Sequence, residues 1–496
     1  MWSAGVSSMT RSIGLGPAVR AGLRRHALIT VLAAAGAVVR LVAALGYRGA
    51  LWFSDSFDYV DTARRLYPHE IRPDGYAFWL LVLRPFHSFT VVTATQHLMG
   101  LAMGLMIYTV ACRRGVRRWV AALAAAPVLL DAYEIQLEHI VLSDTMFAFL
   151  LVLAVTILLW HPGPISARRA AVAGLVLALA TLTRTVGLPL LLVFAGYLLV
   201  RRAGPRPLAA VAAACALPLA GYAVWFHAWR GAYALSGADG VFLYGRATTF
   251  ADCATMPADL RRLCPREPAG DRPAPQHYIW DRDAPLNQAY PDKFRGPANA
   301  AERSFAVHAI LGRPGAYLGT VTTDTLRAFA PGRPVYPDRA TYDLYRFPVT
   351  VTEDWARVRG AAAASAARYG GGISTRVVEP YAGFMRAYQG VVSLPGPALA
   401  VVVVGGAVLI AVRRRRAGPA AFPWCLGVAL LVAPSAVAQF DYRYVLPAVP
   451  LVCLAAALAT RTARGPEPDA DRPGTVGEPE AGSGIGHLVA RAHRSR

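Results

Sequence analysis

Long apolar runs separated by short polar connections fill most of the chain. Runs that reach or approach the length needed to cross a hydrocarbon core of about 30 Å lie at 27–46, 91–111, 119–132, 143–160, 170–184, 187–200, 207–228, 391–412, 420–438 and 444–460. The pattern predicts an all-α polytopic membrane protein with about ten transmembrane helices. Run 119–132, and the pair split around Thr183-Arg184-Thr185, are short for a crossing, so they are expected to be tilted, re-entrant or extended by flanking polar residues. Run 27–46 follows Arg20, Arg24, Arg25 and His26, as a signal peptide would, but its length and Arg40 within it favour an uncleaved anchor. Arg40 then needs a partner or an aqueous cavity. Ala77 to Phe86 is apolar but too short to span, which suits a helix lying in the interface.

Charge orients the runs. Basic clusters fall in alternate connections, at Arg24/Arg25, Arg113/Arg114/Arg117/Arg118, Arg168/Arg169, Arg201/Arg202/Arg206, Arg413 to Arg416 and Arg461/Arg464, which assigns those connections and both termini to the cytoplasm. The organisation expected is a cytoplasmic N-terminus at 1–26, an N-terminal transmembrane module at 27–228, a loop-rich extracytoplasmic segment at 229–390, C-terminal transmembrane helices at 391–460 and a disordered cytoplasmic tail at 461–496. One amphipathic stretch is expected near 301–329, and the tail is too rich in Pro, Gly and acid to bury a core. Location in a bacterial-type plasma membrane, with the working groups on the extracytoplasmic side, follows from the same layout.

Composition agrees with a bilayer. Of 496 residues 55% are hydrophobic and 16% charged, with a mean hydropathy of +0.37, which excludes an ordinary soluble enzyme. The net charge of +21 would suggest nucleic acid in a soluble protein, but here topology accounts for most of it. Cys112, Cys215, Cys425 and Cys453 lie in or beside apolar runs and read as buried thiols. Cys253 and Cys264 lie in a polar stretch placed outside the cytoplasm, where a disulfide between them is expected.

Candidate chemistry gathers in the connections opposite the basic ones. In Phe53-Ser54-Asp55-Ser56-Phe57-Asp58-Tyr59-Val60-Asp61 three carboxylates stand at i, i+3 and i+6 on one broad helix face, a candidate base or ligand set. The plainer reading has Asp55 capping a helix and Asp61 paired with Arg64 or Arg65. Pro73-Asp74-Gly75-Tyr76 reads as a turn. Gln96 and His97 enter a span and should face the protein interior. Glu138, His139 and Asp144 sit at or near membrane depth, where an ionisable group is a functional candidate, although Ser143 and Asp144 also suit a helix start. Arg184 and Arg443 stand at the external ends of spans, either as forks for a lipid phosphate or as interfacial anchors. No phosphate-binding glycine loop with its Lys, no His-Glu-x-x-His and no dinucleotide fingerprint occurs, so soluble nucleotide chemistry is not expected.

The acidic Asp55 to Tyr59 after the first span, Pro73 to Tyr76, Glu138 to Asp144, Thr183-Arg184, and Arg443-Tyr444 with Pro447 and Pro450 together resemble the GT-C superfamily of membrane glycosyltransferases. The likeness covers roughly 27–460 and points to the protein O-mannosyltransferase and aminoarabinose transferase branch. It implies a polyprenyl-phosphate sugar as donor, a glycan, lipid or protein acceptor, and no cofactor. It maps the catalytic base onto Asp55. Asp58, Tyr59, Tyr76, His97, Glu138, His139, Asp144, Arg184, Arg443 and Tyr444 are then the substrate-binding candidates, with no metal required. Asp55 is followed by Ser56, where the mannosyltransferases carry an Asp-Glu pair, and 229–390 has no assignable motif, so the acceptor stays open. A lipid or polysaccharide flippase is the competing reading, although it would be expected to show inverted repeats and groups near the midplane.

Overall fold

The computed structural model describes residues 22, 24–351, 354–413 and 418–461. Most of the expected N-terminal segment, Arg414 to Arg416 of the basic cluster, and the expected tail beyond Arg461 lie outside these residues. Helices dominate: α1 (Ala27–Gly46), α2 (Ser54–Arg65), α3 (Gly75–Leu83), α4 (Phe89–Arg113), α5 (Arg118–Leu130), α6 (Ala132–Glu138), α7 (Asp144–Leu159), α8 (Ala167–Thr183), α9 (Gly187–Val200) and α10 (Pro205–Arg230) come first. The segment that follows carries α11 (Asp239–Thr248), α12 (Gly296–Gly312), α13 (Pro314–Leu326) and α14 (Trp355–Gly370) among loops. The chain closes with α15 (Tyr381–Val391), α16 (Gly396–Val412), α17 (Gly418–Val437) and α18 (Tyr442–Ala459).

The protein is a multi-pass membrane protein, and each apolar run is a helix within a few residues of its expected bounds. Among the described residues five helices are long and apolar enough to cross a membrane, or seven if the bent pairs α5–α6 and α15–α16 each count once. The count of about ten is therefore not reached by length and composition. Helices α7 and α9 are apolar but short, at 16 and 14 residues, and α8 reaches only 17. Pro127 removes a backbone donor near the end of α5, and the chain bends by 52° into α6. Leu192, Leu217, Val401 and Val412 point outward, as side chains bathed in lipid do.

Three local devices set up the site. Phe53 is extended and its N–H donates to Ser56 Oγ at 3.0 Å, which starts α2 and leaves Asp55 in the first turn, where the helix dipole favours a carboxylate. Leu51 makes a parallel bridge with Ile140, so the chain entering α2 is pinned to the polar stretch after α6. Gly75 begins α3 directly against the end of α8, where an added Cβ would lie 2.7 Å from the Leu182 carbonyl, too close for any other residue. A two-stranded antiparallel ladder pairs Tyr47 with Val377 and Arg48 with Arg376, tying the end of α1 to the far end of the 229–390 segment.

That segment has its own apolar cluster, built from Val241, Tyr244, Leu263, Leu286, Phe305 and neighbours. The amphipathic stretch expected at 301–329 is two helices, α12 and α13, because Arg313-Pro314 interrupts the backbone ladder. Cys253 and Cys264 are joined in a disulfide with Cα atoms 5.9 Å apart.

Candidate functional site

Helix α2 presents its acidic face to Arg72 from the connection that follows it and to Arg359 and Arg443 from distant parts of the chain. Arg72 Nη1 lies 3.1 Å from Asp55 Oδ1, and Arg443 Nη1 donates to Asp55 Oδ2 at 3.0 Å. One turn along, Asp58 is paired with Arg359 from α14, and Arg72 Nη1 stands 3.8 Å from its other oxygen. Asp61 is engaged by Arg65 at 2.9 Å and by the Tyr67 hydroxyl at 2.9 Å, so it sits outside the cluster, as its pairing reading expected.

Arg443 begins the last span, with the Asp441 carboxylate accepting from the Arg443 N–H at 3.2 Å and from the Tyr345 hydroxyl at 3.0 Å. Its guanidinium lies over Phe53 at 4.6 Å and over Tyr444 at 5.1 Å. Arg184 comes to the same neighbourhood from the α8–α9 turn. It pairs with Asp144 at 2.5 Å and its guanidinium lies 5.0 Å from the same Tyr444 ring. Tyr444 thus spaces two guanidinium groups, a geometry suited to phosphate oxygens. Tyr59 completes the floor: its hydroxyl is 2.8 Å from Ser143 Oγ, and Arg72 covers its ring at 5.3 Å.

The electrostatics differ between neighbouring carboxylates. Burial opposes the charge on Asp55, but Arg72 and Arg443 outweigh it and hold the carboxyl below the usual range. At Asp58 burial wins over Arg72 and Arg359, with Asp55 adding to the upward push. Burial lowers the His69 imidazole, whose Nε2 is 3.7 Å from Asp58, to about 3, with Arg72 adding to the effect. Asp74 is fully buried and burial pushes it up to about 7, against hydrogen bonds from the Tyr222 hydroxyl at 2.7 Å and the His69 N–H at 3.1 Å. Among the described residues no three His, Cys, Asp or Glu side chains are grouped as a metal site needs. A cavity of about 190 Å³ opens beside Trp52, bounded by Ser88, Phe89 and the glycines Gly370 to Gly372, with no charged side chain in its wall.

Four expected substrate contacts belong elsewhere. Glu138 is fully buried and accepts from Arg40 Nε at 2.7 Å and Arg40 Nη2 at 2.6 Å, while His97 Nδ1 lies 2.7 Å from its Oε2. His97 Nε2 meets His139 Nδ1 at 3.0 Å, and His139 Nε2 reaches the Tyr47 carbonyl at 2.7 Å. This sealed chain satisfies Arg40 and leaves Glu138, His97 and His139 no free polar atom for a ligand. Tyr76 is likewise fully buried, its hydroxyl donating to Gln96 Oε1 at 2.5 Å. Asp144 is buried behind Arg184 and positions it.

Arg72 and Arg359 are site residues that sequence reasoning passed over. Arg72 had a readable signal, a cation in the same external connection as the acidic face. Arg359 had none, because its pairing with Asp58 joins positions 301 residues apart.

With the geometry in hand, comparison with known proteins is informative in one segment. Residues 84–233 match the family model described as dolichyl-phosphate-mannose-protein mannosyltransferase. No curated protein matches the chain. Among solved structures, the Saccharomyces cerevisiae protein O-mannosyltransferase Pmt1-Pmt2 complex bound to the sugar donor is 17% identical, with 46% of this chain and 36% of that one aligned at a TM-score of 0.32. The apo oligosaccharyltransferase of Archaeoglobus fulgidus is 14% identical over 88% of this chain and 50% of that one, at 0.41. ArnT from Cupriavidus metallidurans bound to undecaprenyl phosphate is 15% identical over 87% and 77%, at 0.35. The chain thus spans about a third of the yeast protein's length and half of the archaeal one's. The family-model match at 84–233 runs from the end of α3 to just past α10, and over that stretch, under a third of the chain, the protein is similar to the dolichyl-phosphate-mannose-protein mannosyltransferases.

Proposed function

We propose that the chain transfers a sugar from a polyprenyl-phosphate carrier to an acceptor hydroxyl on the extracytoplasmic side of the membrane. The observation that carries this reading is the direct contact of Asp55 with Arg443, a carboxylate after the first span and a guanidinium at the last, 388 residues apart. In the reaction Asp55 takes the proton of the acceptor hydroxyl as its oxygen attacks the anomeric carbon. The bond from that carbon to the phosphate oxygen breaks, and the phosphate leaves on its lipid with the bonding electron pair. Arg443 and Arg184, spaced by Tyr444, hold the phosphate oxygens as negative charge builds on them. One displacement at one carbon inverts its configuration. Asp144 fixes Arg184, and Asp58 with Tyr59 borders the sugar.

The proposed sidedness, with both termini cytoplasmic and the 229–390 segment outside in a bacterial-type plasma membrane, is supported by the alternation of the basic connections. A glycan, a lipid or a protein hydroxyl each meets the chemistry. The test is direct: purified protein is offered labelled polyprenyl-phosphate sugars and mixed acceptors, and the product is analysed for transfer and anomeric configuration. Transfer that Asp55→Asn abolishes, in a variant that still binds donor, supports the reading. Near-normal turnover by Asp55→Asn removes the base, and lipid movement across liposomes without product favours a flippase.

A further inference from the structure

We propose that Arg72 masks Asp55 while the protein is empty, and that the donor's phosphate unmasks the carboxylate by drawing Arg72 and Arg443 to itself. The inference rests on the transfer reaction proposed above and adds an order to it: donor first, acceptor second.

The masking is geometric. Each oxygen of Asp55 already faces a guanidinium, Oδ1 that of Arg72 at 3.1 Å and Oδ2 that of Arg443 at 3.0 Å. A base must offer one of those oxygens to a hydroxyl. The surrounding cluster is also balanced in charge: Arg72, Arg184, Arg359 and Arg443 face Asp55, Asp58, Asp144 and Asp441. A phosphate entering this cluster finds no guanidinium that lacks a carboxylate, so it binds by exchange. It offers strong acceptor oxygens to a guanidinium fork, which makes the exchange feasible.

Exchange is selective among the carboxylates. Asp58 keeps Arg359, Asp144 keeps Arg184 at 2.5 Å, and Asp441 keeps the Tyr345 hydroxyl and the Arg443 N–H, so Asp55 is the carboxylate left without a donor. Arg72 is placed to move, because it also leans toward Asp58 at 3.8 Å and over the Tyr59 ring at 5.3 Å. It stands in the connection between Leu66, which ends α2 with a positive φ of 55°, and Asp74, which hydrogen bonds anchor. The groups facing Asp55 are Asp58 and Tyr59 on its own helix, His69 and Arg72 from that connection, Arg443 from α18 and, through Asp58, Arg359 from α14. Arg72 and Arg443 are the cations in contact with it, and losing both returns the carboxylate toward ordinary basicity when the sugar is in place.

Two measurements test the mask. The first is binding of polyprenyl phosphate without sugar to purified wild type and Asp55→Asn. Removing the competing carboxylate should tighten binding about tenfold, equivalent to about 1.4 kcal/mol. Equal or weaker binding by the variant overturns the proposal. The second is the pH dependence of transfer by wild type, Arg72→Gln and Arg72→Lys. The acid limb of kcat/KM reports the free enzyme and should move to higher pH in Arg72→Gln, while the acid limb of kcat, which reports the donor complex, stays in place. Arg72→Lys should restore the wild-type limb. A merely structural role lowers both rates and moves neither limb, which also overturns the mask. Losing Arg72 also moves the neighbouring His69 and Asp74 upward, so the same comparison repeated in His69→Gln and Asp74→Asn backgrounds isolates Asp55. If Arg72→Gln does not fold, the binding comparison decides alone. Wild type that neither binds nor uses any donor sinks the transfer reaction itself; wild type that transfers while Asp55→Asn binds no more tightly sinks the mask alone.

Discussion

Replacing Glu138 with Ala should unfold the protein before it affects any substrate. The carboxylate holds Arg40 through two hydrogen bonds, at 2.7 and 2.6 Å, and His97 through a third at 2.7 Å. Without it the guanidinium, 3% exposed in the middle of α1, keeps carbonyl contacts with Leu129 at 2.6 Å, Val128 at 3.1 Å and Gly36 at 3.2 Å but has no counter-charge. Breaking a buried pair by removing one member costs about 3–5 kcal/mol, and the His97 nitrogen left without its partner adds about 1 kcal/mol. The expected result is a large fall in the temperature at which detergent-solubilised protein loses its monodisperse size-exclusion peak. Asp55→Asn, whose site is partly open to water, should melt close to wild type in the same assay. Arg40→Met combined with Glu138→Leu should recover much of the loss, because two apolar side chains leave no charge stranded. Gly100→Ala attacks the network from the other side, since an added Cβ would overlap Glu138 Oε1. Glu138→Ala with wild-type thermal stability but no transfer would refute this reasoning and return Glu138 to the substrate.

Other outcomes follow from the same geometry. Arg184→Ala and Arg443→Ala should each raise the KM for a polyprenyl-phosphate sugar by about tenfold or more, the loss of a charge-assisted contact; unchanged KM in both variants would remove them from the phosphate. Asp74, raised to about 7 in the folded protein, favours its neutral form there. Its contribution to stability is full below about pH 4 and is lost as pH rises through 7, at no more than about 1.4 kcal/mol per pH unit. Asp74→Asn should flatten that part of the stability profile, and an unchanged slope counts against the assignment. Opening the Cys253–Cys264 bridge, whose cysteines are 11 residues apart, should cost about 2–3 kcal/mol locally, read as faster proteolysis of that loop after reduction.

Much of the fold was legible because hydrophobic run length is a local property. Helix α9 occupies 187–200 as expected, and α4, α10 and α17 fall within two residues of their expected bounds at each end. The span count was less legible, since whether 16 apolar residues of α7 cross a bilayer depends on tilt and neighbours rather than on the run itself. In the site, Asp55 and Arg443 could be picked out as ionisable groups at the ends of spans, yet their contact is tertiary. The sequence showed that Arg40 and Glu138 each needed a partner at membrane depth. It could not show that each satisfies the other, 98 residues away, which is why Glu138 and its histidines looked available to a ligand. Tyr76 was misjudged for a related reason: its place in a polar strip says nothing about the Gln96 that closes over it.

The span between Asp55 and Arg443 bears on biogenesis. A ribosome feeding this chain into a translocon makes the acidic helix 388 residues before the arginine, so no intermediate that stops between them holds both halves of the pair. The pair should therefore close only when the hydrophobic segment that carries Arg443 has been released into the bilayer. A stalled or truncated product that stops short of that segment would sit in the membrane with Asp55 lacking its Arg443 partner.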